Sequence, residues 1–151
     1  MDSLKGFIAK LIFVVPLAVA FSAYRPVQFC SLEVLIKGAE NADGNMSLLV
    51  YNSKNGFPSD ASKACKSAIV KANGTYQRVV FDNLPAGTYA VAVMHDQNSN
   101  GVLDTNLLGI PQEGIGVSNN ALNTFGPPIF EESCFTLNES KKVIDITLDY
   151  W

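Results

Sequence analysis

The sequence is short of the residue types that most often carry chemistry. It holds one histidine, three cysteines and one tryptophan in 151 residues. A single imidazole, His95, excludes histidine-rich metal centres. There is no C-x-x-C, which excludes zinc knuckles and thioredoxin-type redox pairs. There is no G-x-S-x-G, so the nucleophile elbow of the α/β-hydrolases is missing. Charge is also sparse: charged residues make up 17%, with eleven Lys and Arg against fourteen Asp and Glu, a net charge of −3. The longest cationic run is the pair Lys141-Lys142. Displacing counterions from phosphates needs clustered cations, so nucleic acid is excluded as a partner. No apolar run reaches the roughly 20 residues of a membrane-spanning helix. Internal repeats, low-complexity linkers and amphipathic helical periodicity are absent or nearly so. What is present is 48% hydrophobic residues, enough for one domain with a buried core.

The N-terminus carries a targeting signal. Lys5 and Lys10 precede the apolar run Leu11 to Phe21, and Ala18-Val19-Ala20 has the small-x-small pattern of a signal-peptidase site. Residues 1–20 read as a signal peptide cleaved after Ala20, with Ser22 the alternative. Residues 21–30 then form a lead-in to a single domain over 31–151. Pro16 weakens any long anchor helix. Cys30 lies too late for lipid attachment, and Val27-Gln28-Phe29 is not a small-residue box. The expected product is secreted or periplasmic, with no stable membrane anchor after cleavage. In an oxidising compartment one disulfide among Cys30, Cys65 and Cys134 would leave one free thiol; three inert buried thiols are the other reading.

The remainder reads as short strands punctuated by Gly, Asn, Asp and Pro. Ser31 to Lys37 puts Leu32, Val34 and Ile36 on one face. Asn41-Ala42-Asp43-Gly44-Asn45 has the chemistry of a hairpin turn leading into Met46 to Asn52. Ser59 to Lys66 suits one or two helical turns capped by Ser59 or Asp60. Strands follow at Ser67 to Ala72, Tyr76 to Asp82 and Thr88 to His95, the last apolar on both faces as a central strand should be. Ile129 to Leu137 and Val143 to Tyr150 complete the set. In the last, Ile144, Ile146, Leu148 and Tyr150 alternate with Asp145, Thr147 and Asp149. The pattern predicts an all-β fold: an antiparallel β-sandwich of about seven strands, immunoglobulin- or prealbumin-like. Asp96 to Pro128 is one long loop. It carries Leu107, Leu108, Ile110, Ile115, Phe125 and Pro127-Pro128, so it is expected to be ordered and packed across an edge or end of the sandwich.

That loop opens on the one motif with a mechanism. In Asp96-Gln97-Asn98-Ser99-Asn100-Gly101-Val102-Leu103-Asp104, oxygen-bearing side chains recur at Asp96, Asn98, Asn100 and Asp104. Such spacing wraps oxygens round a hard cation, with Gly101 at the sharp turn and the Val102 carbonyl pointing inward. The chain departs from an EF-hand: Leu107 stands where a bidentate Glu would close the site, and a strand precedes the loop. With only two carboxylates, Ca²⁺ would bind weakly, on the order of 10⁻⁴ to 10⁻³ M. An Asx-rich turn bonding its own backbone is the other reading. Glu113 is a candidate third carboxylate. His95, beside Asp96, reads as structural more readily than as a base, since no nucleophile is arranged with it. Glu131-Glu132, on opposite faces of a strand, are expected to lie one exposed and one partly buried rather than to act as a dyad. Asn45-Met46-Ser47, Asn73-Gly74-Thr75 and Asn138-Glu139-Ser140 are formal glycosylation sequons that otherwise serve as turn residues.

A resemblance runs through these residues. Leu84-Pro85-Ala86-Gly87-Thr88-Tyr89, His95-Asp96-Gln97-Asn98, Gly101, Leu103-Asp104-Thr105-Asn106, Leu108-Gly109-Ile110-Pro111, Glu113-Gly114, Ser118-Asn119-Asn120 and Phe125-Gly126-Pro127-Pro128, with Gly56-Phe57-Pro58 upstream, resemble the bacterial exported family designated domain of unknown function 2141. The resemblance covers about Leu32 to Tyr150. It implies a signal peptide and an envelope or extracellular location, and it supplies no activity. The Leu-Pro-x-Gly-x-Tyr stretch is also similar to transthyretin-like and collagen-adhesin B-type sandwich modules, which supports the fold only. The expected function is a non-catalytic binding or structural envelope protein. Asp96, Asn98, Asn100, Val102 and Asp104 would hold Ca²⁺. A ligand surface near His95, Glu113, Asn119, Asn120 and Phe125 would meet an envelope protein or glycan. The alternatives are a small periplasmic hydrolase using His95 with Asp96 or Glu113, and a transthyretin-like oligomer binding a small ligand.

Overall fold

The computed structural model describes residues 27–151. The expected signal peptide lies outside the described residues, as does most of the lead-in. Among the described residues no helix is long and apolar enough to cross a membrane. Eight strands pack as two sheets: β1 (Phe29–Lys37), β2 (Asn45–Tyr51), β3 (Lys66–Lys71), β4 (Tyr76–Pro85), β5 (Gly87–Asp96), β6 (Gly114–Val117), β7 (Phe135–Leu137) and β8 (Lys141–Thr147). Sheet A has the order β4-β1-β8; sheet B has the order β3-β2-β5-β6, with β7 on β5. Every pairing is antiparallel except β1 with β8. The sandwich matches the sequence reading, with eight strands in place of about seven.

The core lies between the sheets. β1 contributes Leu32, Val34 and Ile36, β2 contributes Met46, Leu48 and Val50, and β8 and its extension contribute Ile146 and Leu148, all buried. This is the period-2 pattern of half-buried strands. β5 pairs with β2 on Asn45 to Tyr51 and with both β6 and β7, so it is central as its apolar run requires. The turn before β3 is a single 3₁₀ turn, Ala61–Lys63, and the Asp60 side chain caps it by accepting from the Ser62 N–H at 3.0 Å.

Several expectations are corrected. The Asn41 to Asn45 segment closes no hairpin, because β1 and β2 belong to different sheets. Its Gly44, at φ +63°, sits so close to β5 that a Cβ would lie 1.8 Å from the Asp96 carbonyl oxygen. Ile129 to Leu137 is not one strand. A helical turn α1 (Phe130–Ser133) comes first, and only Phe135–Leu137 is strand. Glu131 and Glu132 are poor strand formers that suit a helix's first turn, and both are exposed.

The long loop contains β6, which two glycines hide from any propensity reading. Its Leu107, Leu108 and Phe125 are exposed rather than packed against the sandwich. The Asn106 turn closes on itself instead: the Asn106 side chain accepts from the Leu108 and Ile110 N–H groups, and the Asn106 N–H donates to the Ile110 carbonyl at 2.9 Å.

The segment after β8 ties the two sheets together. Leu148 N–H donates to the Lys37 carbonyl of sheet A, while Ile115 of β6 and Asp149 exchange two backbone hydrogen bonds at 3.0 and 2.9 Å. The approach is close. A Cβ on Gly114 would meet the Tyr150 ring at 2.3 Å, and one on Gly116 would meet the Ile146 side chain at 2.7 Å.

Candidate cation loop and the adjoining groove

The loop leaves β5 at Asp96, whose buried carboxylate organises it. One oxygen accepts from the Asn100 N–H at 3.0 Å and the other from the Gly101 N–H at 2.8 Å. Gly101 takes φ +77°, the left-handed value that the sharp turn demands. Asn98 and Asn100 side chains both reach Asp104: Asn98 Nδ2 donates to it at 2.5 Å and Asn100 Nδ2 at 3.2 Å. Three of the predicted ligand side chains therefore converge on one point, with Asp96 beneath them. Each Asn oxygen meanwhile accepts from a loop N–H: Asn98 Oδ1 from the Asn100 N–H at 3.0 Å and Asn100 Oδ1 from the Val102 N–H at 2.8 Å. The Val102 side chain is exposed.

The donor set fits a hard cation in kind but is poor in charge. Rotating the Asn98 and Asn100 amides would present oxygens beside Asp104, since amide O and N are nearly isosteric. Among the described residues no group of three or more His, Cys, Asp or Glu is placed to hold a metal. Glu113 does not supply a further ligand. It is buried and both its oxygens are taken by backbone donors, Gln97 N–H at 2.9 Å and Asp104 N–H at 3.1 Å. It clamps the two ends of the loop.

The other predicted site residues fall into different roles. His95 is 0% exposed. Its Nε2 lies 2.8 Å from the Asp43 carbonyl oxygen and its Nδ1 lies 2.7 Å from the Tyr150 hydroxyl. A carbonyl only accepts, so Nε2 carries the proton. In the neutral ring Nδ1 then accepts from Tyr150. Neither nitrogen is available to a substrate. Asn119 and Asn120 hold positive φ at 61° and 51° and use their side chains internally. The Asn119 amide donates to the Glu132 and Cys134 carbonyls, and the Asn120 side-chain oxygen accepts from the Thr147 N–H. Phe125 is 92% exposed, the one member of the expected ligand surface that faces solvent as an open aromatic. Cys30, Cys65 and Cys134 stand as free thiols, Cys30 in the core and Cys65 exposed.

Periodicity gave no hint of four further residues. Buried Ser118 donates to the Ser133 carbonyl and accepts from the Val91 N–H, fixing β5 to α1. Tyr51 and Phe57 pack edge to face at 5.4 Å, as do Phe57 and Phe130 at 5.8 Å. Burial pushes the Tyr51 phenol up to about 12, and its hydroxyl has no hydrogen-bond partner among the described residues.

This aromatic stack supports one wall of a groove on the outer face of sheet B. The register aligns Ile69, Ser47, Met94 and Ile115 in one row across the sheet, and the next row holds Leu49 and Ala92. Pro58 to Ala61 form one wall and Gly101 to Leu103 of the candidate cation loop form another, enclosing about 580 Å³. A second cleft of about 640 Å³ shares Pro58, Ser59 and Leu103 and extends to Phe125 and Trp151. Both volumes fall within the roughly 300–1,000 Å³ of small-ligand sites.

The profile of one family, described as an uncharacterized protein conserved in bacteria (DUF2141), matches residues 34–145. The chain belongs to that family. No curated protein and no solved structure matches it.

Proposed function

We propose that this family member is an exported, non-catalytic binding or structural protein of the bacterial envelope whose 96–104 loop takes up Ca²⁺ weakly. The observation that carries the reading is the convergence of Asn98, Asn100 and Asp104 on one point above buried Asp96. Burial of Asp96 at the loop's root and the Glu113 clamp hold the loop backbone in place, and a cation would turn the Asn98 and Asn100 amides to take the place of their N–H donors at Asp104. Gly101 to Leu103 also wall the groove, so a cation that stiffens the loop would shape a binding surface without doing chemistry. The cationic, apolar and small-x-small pattern of residues 1–20 in the sequence is what supports export. Burial of His95, with both ring nitrogens bonded, supports a role without acid-base catalysis.

The test is thermal unfolding in EGTA and in several millimolar Ca²⁺, beside the Asp96→Asn/Asp104→Asn variant. A dissociation constant near 0.5 mM would stabilise the protein by about 1.5 kcal/mol at tenfold excess, roughly 4–8 °C in Tm. The double variant should show no shift. An identical Tm with and without Ca²⁺ in the unaltered protein would remove the cation and leave an Asx-rich turn.

A further inference from the structure

The long loop leaves a group of apolar side chains in water. Leu108, Phe125 and Trp151 line one cleft, and Leu103 joins that cleft to the groove that Val102 walls. Leu107 is wholly exposed, Leu108 is 84% exposed, and Val102, Phe125 and Trp151 are exposed as well. A soluble monomer rarely shows so large an apolar patch without a use for it. The turns that carry these side chains have spent their backbone donors. Among residues 106–110, the N–H groups of Asn106, Leu108, Gly109 and Ile110 all donate within the turn, and Pro111 has none. Around Val102, the N–H groups of Asn100, Gly101 and Val102 donate within the candidate cation loop. Pro127 and Pro128 lack an N–H, and the Pro127 carbonyl accepts from the Asn123 side chain at 2.9 Å. Charge is missing too. No charged side chain lines the cleft, and no Lys or Arg occurs between Arg78 and Lys141.

We infer that this surface docks on a lipid bilayer, with Val102, Leu107, Leu108, Phe125 and Trp151 entering the boundary between headgroups and acyl chains. Turns whose donors are already satisfied leave water for that boundary at little cost, whereas unpaired backbone groups find no partners in lipid. A protein partner would need hydrogen bonds, about one per 100–200 Å² of interface, and these turns have few donors left to give. A small ligand in the cleft would leave Leu107 in water, since Leu107 lines neither cleft. Trp151 suits the interfacial zone, where a tryptophan ring is buried and its N–H stays wet. With no cation in this stretch, insertion of apolar side chains drives the contact, not attraction to anionic headgroups. The sandwich would lie on the bilayer without crossing it. The inference rests on the envelope-binding reading above and names the partner; in vitro it requires neither Ca²⁺ nor export.

Trp151 is the single tryptophan of the chain, so its fluorescence reads this surface directly. With the full chain in EGTA, phosphatidylcholine vesicles should shift Trp151 emission to the blue, and vesicles brominated along the acyl chain should quench it. Adding phosphatidylglycerol or raising the salt should change the partition by no more than about threefold. Leu107→Ser/Leu108→Ser/Phe125→Ser should weaken partition by roughly a hundredfold or more at an unchanged Tm, since all three positions are exposed. Leu107→Ser alone should cost about threefold or more. The apolar run of residues 11–21 is intact in both variants and cannot account for the losses. Val80→Ser, at an exposed apolar position of sheet A, should leave partition unchanged. Trp151 emission that ignores vesicles, partition that survives the triple substitution, or partition that needs phosphatidylglycerol would overturn the inference. So would self-association that the triple substitution abolishes, in place of vesicle uptake. None of these outcomes touches the Ca²⁺ reading, whose shift in Tm is measured without lipid.

Discussion

His95 shows how two contacts settle what a residue can do. Its ring links the Asp43 carbonyl in one connection to the Tyr150 hydroxyl beyond β8, inside a site that water does not reach. Removing it takes one partner from the Asp43 carbonyl and one from the Tyr150 hydroxyl and leaves a void. His95→Ala should therefore destabilise the fold by about 3 kcal/mol in chemical denaturation, the range for a buried side chain with hydrogen bonds. A catalytic histidine would instead leave stability almost unchanged. Glu113 is a comparable case. It satisfies two backbone donors across sixteen and nine residues of chain, so Glu113→Gln, which brings an NH₂ group to one of them, should cost about 1–3 kcal/mol. Hydrogen exchange at the Gln97 and Asp104 amides would report it. The sequence made the Asp96 to Asp104 spacing legible because that motif is local. It could not show that Glu113 closes the loop, because that contact depends on where β6 returns.

At the scale of elements, β6 is the part that sequence patterning could not find. Gly114 and Gly116 have no hydrophobic period and little strand preference, yet the strand forms because only glycine admits the β8 extension so close. Gly116→Ala would put a methyl group 2.7 Å from the Ile146 side chain and 2.8 Å from the Thr147 carbonyl oxygen. It should destabilise by about 1–3 kcal/mol in a urea titration, the cost of overpacking against backbone that cannot yield. Strands with a clean period, β1, β2, β4 and β8, were legible to within a few residues, because alternation reflects burial between two sheets, and β5 was legible from its unbroken apolar run. The turn at Asn41 to Asn45 was legible as a turn and not as a crossing between sheets. Asx and Gly chemistry reports local backbone dihedrals and says nothing of which strand comes next to which.

For the whole molecule, one carboxylate spans a sheet. Glu33 on central β1 binds Arg78 on β4 and Lys141 on β8, and these cations hold it down at about 2 against an ordinary 4.5. A carboxyl depressed in the folded state contributes stability that is full above its ordinary value and fades as pH falls through the folded one. Acid should accordingly weaken the protein between pH 4.5 and about 2, and Glu33→Gln should flatten that part of the stability profile, as followed by denaturant midpoints at stepped pH. The wiring of the same sheet also bears on time. β1 needs β8 beside it, with Glu33 opposite Val143, and Asp149 just beyond β8 completes the edge of the other sheet at Ile115. Contacts so distant in sequence cannot form on a partly emerged chain, and all-β topologies of high contact order fold in milliseconds to seconds. Until its final strand is available the chain has no complete sheet A to close upon.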